Sequence, residues 1–229
     1  DMSDEETSSY IRAMNAIFSR IEREGKVPSG VLLSVGAAEA GEVERVLVDF
    51  PDVQLTMDNC PNQKILFGPE ERMAEVKERF VANGAVCAVL PMSWAYHTEH
   101  LRPLADEFRK LFGGVRMGKP RAQLYSCSTA APLPEDEAEA REIIVGQYVT
   151  RVRFCEAVRR LHQDGARVFI EVGADNSLSG FVRDSLGALP HLSLSCDNPK
   201  RDSLTALLTM LGQLFAAGRF DPARLAPRR

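Results

Sequence analysis

The sequence predicts an α/β chain in which a small βαββαβ unit sits ahead of a longer, mostly parallel strand-and-helix layer. Three observations predict it. Short apolar runs alternate with stretches of helical periodicity along most of the 229 residues, and the units between residues 31 and 90 follow a definite order. The balance of 45% apolar to 26% charged residues is that of a globular chain able to bury a core.

The opening D-M-S-D-E-E-T-S-S is polar and acidic, and Tyr10, Met14, Ile17 and Ile21 then recur at helical spacing, so an amphipathic helix is expected over residues 7–24. V-L-L-S-V at 31–35 reads as a strand. Val43, Val46, Leu47 and Phe50 mark the apolar face of a helix, and V-Q-L-T-M at 53–57 is a second strand. A tight N-C-P-N turn at 59–62 leads into the strand K-I-L-F. Gly68-Pro69-Glu70-Glu71 opens a helix with proline in the first turn and acids at its positive end. Met73, Val76 and Phe80 face inward, Gly84 ends the helix, and A-V-C-A-V-L is the closing strand. The order βαββαβ is the ferredoxin-like arrangement, assigned here to residues 30–92, with residues 1–29 contributing a helix to the larger part.

Residues 93–221 are expected to form the rest of that larger part. A helix is predicted over 98–112 from Leu101, Leu104, Phe108 and Leu111, then a strand Q-L-Y-S-C, an acidic proline-bounded loop P-L-P-E-D-E and helical residues 136–163. R-V-F-I-E-V-G at 167–173 is a buried strand running into a helix from near Asn176. H-L-S-L-S-C is another strand, and Leu204, Leu207, Leu208, Leu211 and Phe215 place the last helix. The proline- and arginine-containing tail at 222–229 reads as a linker.

Charge and cysteine content narrow the function classes. A net charge of −4 and a pI near 5.7 offer nothing to neutralise phosphates, so neither nucleic acid nor an anionic membrane is an expected partner. No apolar run approaches the roughly 20 residues that span a bilayer, and no secretory signal is evident. Five cysteines without CxxC spacing suit neither a disulfide framework nor a zinc knuckle, which points to a reducing cytoplasm. The chain begins at Asp1 rather than Met, as a piece of a longer protein would.

The chemistry-bearing stretch is M-S-W-A-Y-H-T at 92–98. His97 follows a buried strand and precedes a predicted helix, so its ring is expected beside a helix N-terminus, where the neutral, proton-accepting form is favoured. Position alone leaves two readings: a catalytic base, or a histidine capping a helix start, which is the commoner case. His97 and His100 could form a metal pair, but no third ligand stands at a suitable spacing, so no metal is expected. The cysteines read as small apolar core residues.

Several ordered motifs together resemble the acyltransferase domain of fatty acid and polyketide synthases, which moves acyl groups from coenzyme A to an acyl carrier protein. W-A-Y-H-T is similar to that family's active-site histidine segment and makes His97 the counterpart of the base. D-N-C-P-N-Q at 58–63 resembles its Asn-x-Pro turn, which implies that Asn59 lies near substrate. Q-Y-V-T-R-V-R-F at 147–154 resembles the segment whose backbone carbonyl orients the histidine, implying that role for Gln147. F-I-E-V-G with Leu178 and Gly180 resembles its late strand and helix. The combination looks closest to large iterative synthases of the polyunsaturated, glycolipid and enediyne types.

The resemblance implies a hydrolase-like, mostly parallel large subdomain carrying a ferredoxin-like insertion, no bound cofactor, and acyl-CoA and carrier-protein phosphopantetheine as the reacting molecules. Partners would be the carrier protein, neighbouring synthase domains and a segment upstream of Asp1. Trp94 and Tyr96 would line the acyl pocket, or else pack between subdomains. Three departures stand out. The family's serine lies in a G-x-S-x-G elbow, and none occurs in these 229 residues; N-S-L-S-G at 176–180 is out of order and at a helix start. No arginine occurs at 15–19, where malonyl-using members carry one; Arg12 and Arg20 only flank the position, which favours an uncharged acyl group. Ala174 and Arg151 stand where the family has proline. A non-catalytic scaffold or docking domain and an acyl hydrolase are the alternatives. Upstream strands absent from the chain would leave a sheet edge open to a partner or to self-association.

Overall fold

The computed structural model describes residues 2–221, so the linker expected at 222–229 lies outside the described residues. The chain divides into two compact units, Asp1–Arg160 and Leu161–Arg229.

The first unit opens with α1 (Asp4–Arg23), which starts three residues earlier than its apolar periodicity implies. Ser3 explains the difference. Its hydroxyl accepts from the Glu6 amide, and Glu6 returns a carboxylate to the Ser3 amide at 2.7 Å, a reciprocal cap that satisfies two otherwise orphaned donors.

The βαββαβ unit comprises β1 (Val31–Gly36), α2 (Glu42–Asp49), β2 (Gln54–Cys60), β3 (Gln63–Gly68), α3 (Glu70–Ala82) and β4 (Val86–Val89). Its strands lie in the order β4-β1-β3-β2 and run antiparallel, the ferredoxin-like sheet that the element order predicts. The period-2 alternation of strand residues decides what each face meets. Leu33, Val35 and Leu66 point to one face and pack with Val43, Val46, Met73, Val76 and Phe80 from α2 and α3. Leu32, Ile65 and Phe67 point to the other, where Ala95 and Tyr96 of the histidine segment complete the layer.

The close approach of β3 sets one glycine. A Cβ at Gly30 would lie 2.5 Å from the Phe67 ring and 2.8 Å from the Gly68 carbonyl oxygen. Gly30 instead donates its amide to the Ser93 carbonyl at 2.9 Å.

Three expectations for residues 98–163 need correction. The helix expected over 98–112 begins as a single 3-10 turn, Glu99–Leu101, before α4 (Arg102–Phe112), whose second residue is Pro103. The helix expected over 136–163 is broken into α5 (Glu137–Gly146), a turn, the strand β7 (Val152–Arg153) and α6 (Phe154–Gln163). Gly146 and the β-branched Val149, Thr150 and Val152 are weak helix formers, and tertiary pairing takes over there. β7 joins the sheet parallel to β2, and its Arg153 amide donates to Cys127 at 2.8 Å. The strand expected in Q-L-Y-S-C shrinks to β5 (Tyr125–Ser126), paired with β6 (Ala131–Pro132).

In the second unit, β8 (Val168–Glu171) and β9 (Leu192–Ser195) pair in parallel, with α7 (Ser177–Leu186) as the crossover and α8 (Ser203–Ala216) after them. Leu194, Met210 and Leu214 form its core. Glu171 fixes the strand-to-helix turn by accepting from the amides of Leu178 and Ser179 and from the Ser179 hydroxyl. Among the described residues, no helix is long and apolar enough to cross a membrane.

Candidate active site

The histidine segment is pinned on both sides. Upstream, Ser29 bridges Trp94 and Leu90 donates to the Leu32 carbonyl at 2.8 Å, which lays the chain along the inner face of the sheet. Within the segment, Tyr96 donates its amide to Trp94 at 2.8 Å, and the buried Thr98 hydroxyl donates to the Ala95 carbonyl at 2.7 Å. These closures hold His97 at φ 62°, a left-handed conformation uncommon for a residue with a side chain and one that the surroundings must impose.

In that conformation the half-buried ring reaches across 50 residues of sequence. His97 Nδ1 lies 2.8 Å from the backbone carbonyl oxygen of Gln147. A carbonyl only accepts, so Nδ1 carries the proton and Nε2 presents its lone pair. Among the described residues nothing hydrogen-bonds Nε2. Gln147 is the C-cap of α5, where a helix leaves its last carbonyls without intrahelical donors. Its position is set by packing on either side: Val145 and Val149 are buried, and Tyr148 meets Phe108 edge-on at 4.8 Å, with burial pushing the Tyr148 hydroxyl pKa up.

The ring therefore caps no helix. Thr98, not His97, stands at the N-cap of the following 3-10 turn, which runs directly into α4 at Arg102, so His97 immediately precedes the helical stretch without being its cap. His100 lies against Phe67 and 3.5 Å from the Gln54 amide nitrogen.

Of the other residues singled out in the sequence, Trp94 and Tyr96 stack on each other with ring centroids 6.2 Å apart, and Trp94 also meets Phe18 of α1 at 5.4 Å. Both rings pack against a core built from Ile21, Leu101, Leu104, Phe108 and Val145, and this packing decides their orientation. Asn59 is the extra residue of a β-bulge, between the pairs Asp58–Lys64 and Cys60–Gln63. Its amide nitrogen donates to Gln63 at 2.9 Å, so the structure places it at the β2–β3 turn rather than in contact with His97. Sequence reasoning missed Thr98 and Phe18. The hydroxyl directly after the histidine was the available signal for the first, and the helical stripe of α1 for the second.

Among the described residues no serine or cysteine side chain hydrogen-bonds the His97 ring. Ser179, within the G-x-S-x-G look-alike, is buried, and its hydroxyl lies 2.8 Å from both the Glu171 carboxylate and the Leu194 carbonyl, acceptors that compete for its one proton. Burial pushes the Cys87 and Cys127 thiols up, away from the thiolate form. Arg20, the nearer of the arginines flanking 15–19, is paired with Glu107.

Comparison with known proteins gives a consistent family. A type I polyketide synthase of phenolphthiocerol synthesis from Mycobacterium marinum is 28% identical over 191 residues, covering 82% of this chain and 9% of the synthase. A highly reducing polyketide synthase of Dothideomycetidae sp. is 30% identical over 200 residues, covering 83% of this chain and 8% of that protein. Among solved structures, the acyltransferase domain from the second module of the salinomycin polyketide synthase superposes with a TM-score of 0.77 at 24% identity, over 95% of this chain and 50% of that one. The acyltransferase domain of an iterative polyketide synthase in enediyne biosynthesis gives a TM-score of 0.72 at 23% identity, over 96% of this chain and 56% of its own. These superpositions show the fold, and the chain spans about half of each solved domain. The sequence profile of the acyl transferase domain matches residues 11–201, and with the fold and the histidine geometry this places the chain in the acyl transferase domain family.

Proposed function

We propose that this chain carries the general base of an acyltransferase domain in a polyketide-type synthase, and that the nucleophilic serine is supplied by protein outside these 229 residues. The observation that carries the reading is the 2.8 Å contact between His97 Nδ1 and the Gln147 carbonyl, which leaves Nε2 free to accept a proton. In the first half-reaction Nε2 takes the proton of the serine hydroxyl as its oxygen attacks the thioester carbonyl of acyl-CoA. The imidazolium then protonates the departing coenzyme A thiolate, and an acyl-serine ester remains. In the second half, the phosphopantetheine thiol of a carrier protein gives its proton to Nε2 and attacks the ester, and the serine oxygen recovers the proton as it leaves.

No step requires a metal ion or a bound cofactor. Asn59 borders the substrate on this reading, and Trp94 and Tyr96 form the wall behind the base. The absence of arginine at 15–19 removes the fork that would grip a malonyl carboxylate, which favours an uncharged acyl group. The setting is cytoplasmic, beside the other domains of a synthase. The chain by itself is inactive because it lacks the elbow serine.

Mass spectrometry of the domain together with its upstream segment tests the reading. With acyl-CoA alone an acyl-enzyme should accumulate, and carrier protein should discharge it with equal gain of carrier mass. Release of free acid at the same rate with or without carrier protein would make the domain a hydrolase. No acyl-enzyme under any condition would make it a scaffold.

A further inference from the structure

In the second unit, α7 and α8 both pack on β9, and between them lies a cleft of about 280 Å³. Two arginines line it, Arg183 from α7 and Arg201 from the loop before α8. Several arginines of the first unit are held in ion pairs. Arg20, Arg72, Arg79, Arg102, Arg109, Arg141 and Arg153 each have a carboxylate oxygen within 4.0 Å. Among the described residues the Arg183 guanidinium has no hydrogen bond and no ion pair, and the Arg201 guanidinium reaches only the Thr209 hydroxyl at 3.4 Å.

The remaining lining is rich in free donors. The side-chain amides of Asn176 and Gln213 have no partner among the described residues, and Asn198 uses only its carbonyl oxygen, which accepts from Lys200. One carboxylate, Asp197, lines the cleft, and it is engaged with the Asn198 amide at 2.8 Å and the Ser203 hydroxyl at 3.5 Å. The helix end itself is not the attraction, since Glu171 already occupies the Leu178 and Ser179 amides of α7. Two uncompensated guanidinium groups and unpaired amides around one concavity present a surplus of donors and positive charge. That surplus is relieved by an anion offering several acceptor oxygens.

We propose that this cleft binds a phosphate group, held between Arg183 and Arg201 and steadied by Asn176, Asn198 and Gln213. The proposal rests on the second unit alone and is independent of the role given to His97.

The test is NMR titration of the 229-residue protein with inorganic phosphate at constant ionic strength, read at the arginine Nε–H signals and the backbone amides of residues 195–201. Saturable shifts confined to the cleft are expected, with chloride at equal ionic strength producing none. Arg183→Gln and Arg201→Gln, made singly so that at least one folded variant is obtained, should each weaken binding by about tenfold, the scale of one charge-assisted contact. A parallel titration with adenosine 3′,5′-bisphosphate separates the sources: tighter saturation assigns the cleft to a nucleotide phosphate, equal saturation to free phosphate. Shifts that fail to saturate with either probe, that chloride reproduces, or that survive both substitutions would overturn the proposal.

Discussion

At the scale of the residue, His97 is defined by its backbone as much as by its ring. A left-handed φ, a buried threonine hydroxyl one position on and a carbonyl 50 residues away together select one tautomer. Since Gln147 contributes only its main-chain oxygen, the tautomer should be insensitive to its side chain. Nitrogen-15 NMR at about pH 8, where free imidazole is neutral, should show His97 protonated on Nδ1 in both the unaltered protein and Gln147→Ala. A ring protonated on Nε2 in either would remove the basis for the role given to Nε2. The histidine and its partner were legible in the sequence only through the ordered motifs. Spacing and periodicity left His97 as a candidate cap, because no local pattern announces a left-handed turn or a contact over such a separation.

At the scale of the element, helices and strands followed from apolar periodicity wherever one face decided the packing. The alternation of Leu32 with Leu33 and of Ile65 with Leu66 is the clearest case. Periodicity failed between residues 146 and 153, where the apolar pattern continues but a short strand completes the sheet beside β2. It also missed the first turn of α1, whose start is fixed by polar capping. The pairing of α1 with α4 carries a pH dependence. Lys110, at 2.6 Å, and Arg20 donate to Glu107 and hold its carboxyl down to about 2 against an ordinary value of 4.5. A depressed carboxylate pKa contributes stability that is complete above the unfolded value and is lost as pH falls through the folded one. Thermal unfolding of Glu107→Gln should therefore lose part of its dependence on pH between 4.5 and about 2 relative to the unaltered protein, with the difference shrinking in high salt because the partner cations Arg20 and Lys110 are solvent-exposed. Superimposable pH profiles would show that the pair contributes nothing.

At the scale of the whole molecule, the class was legible because element order alone dictates the antiparallel β4-β1-β3-β2 sheet. The second unit leaves an opening of its own. Among the described residues β8 pairs only with β9, and Ile170 and Val172 beside it are 44% and 82% exposed. Unpaired strand edges with apolar side chains recruit further strands. Sedimentation velocity should show the 229-residue protein associating as its concentration rises, and Val172→Lys should reduce that association. A single monomeric species throughout the range would contradict this view of the edge.

The proposed role of His97 is that of base to a nucleophile supplied from outside these residues. The most direct measurement is the rate of acyl loading from acyl-CoA, followed by intact-mass spectrometry of the domain with its upstream segment, before and after His97→Ala. Loading should fall by about 10²- to 10⁴-fold, the range for loss of a positioned general base. Loading at the unaltered rate, or a stable acyl adduct on the 229-residue chain alone, would contradict the account.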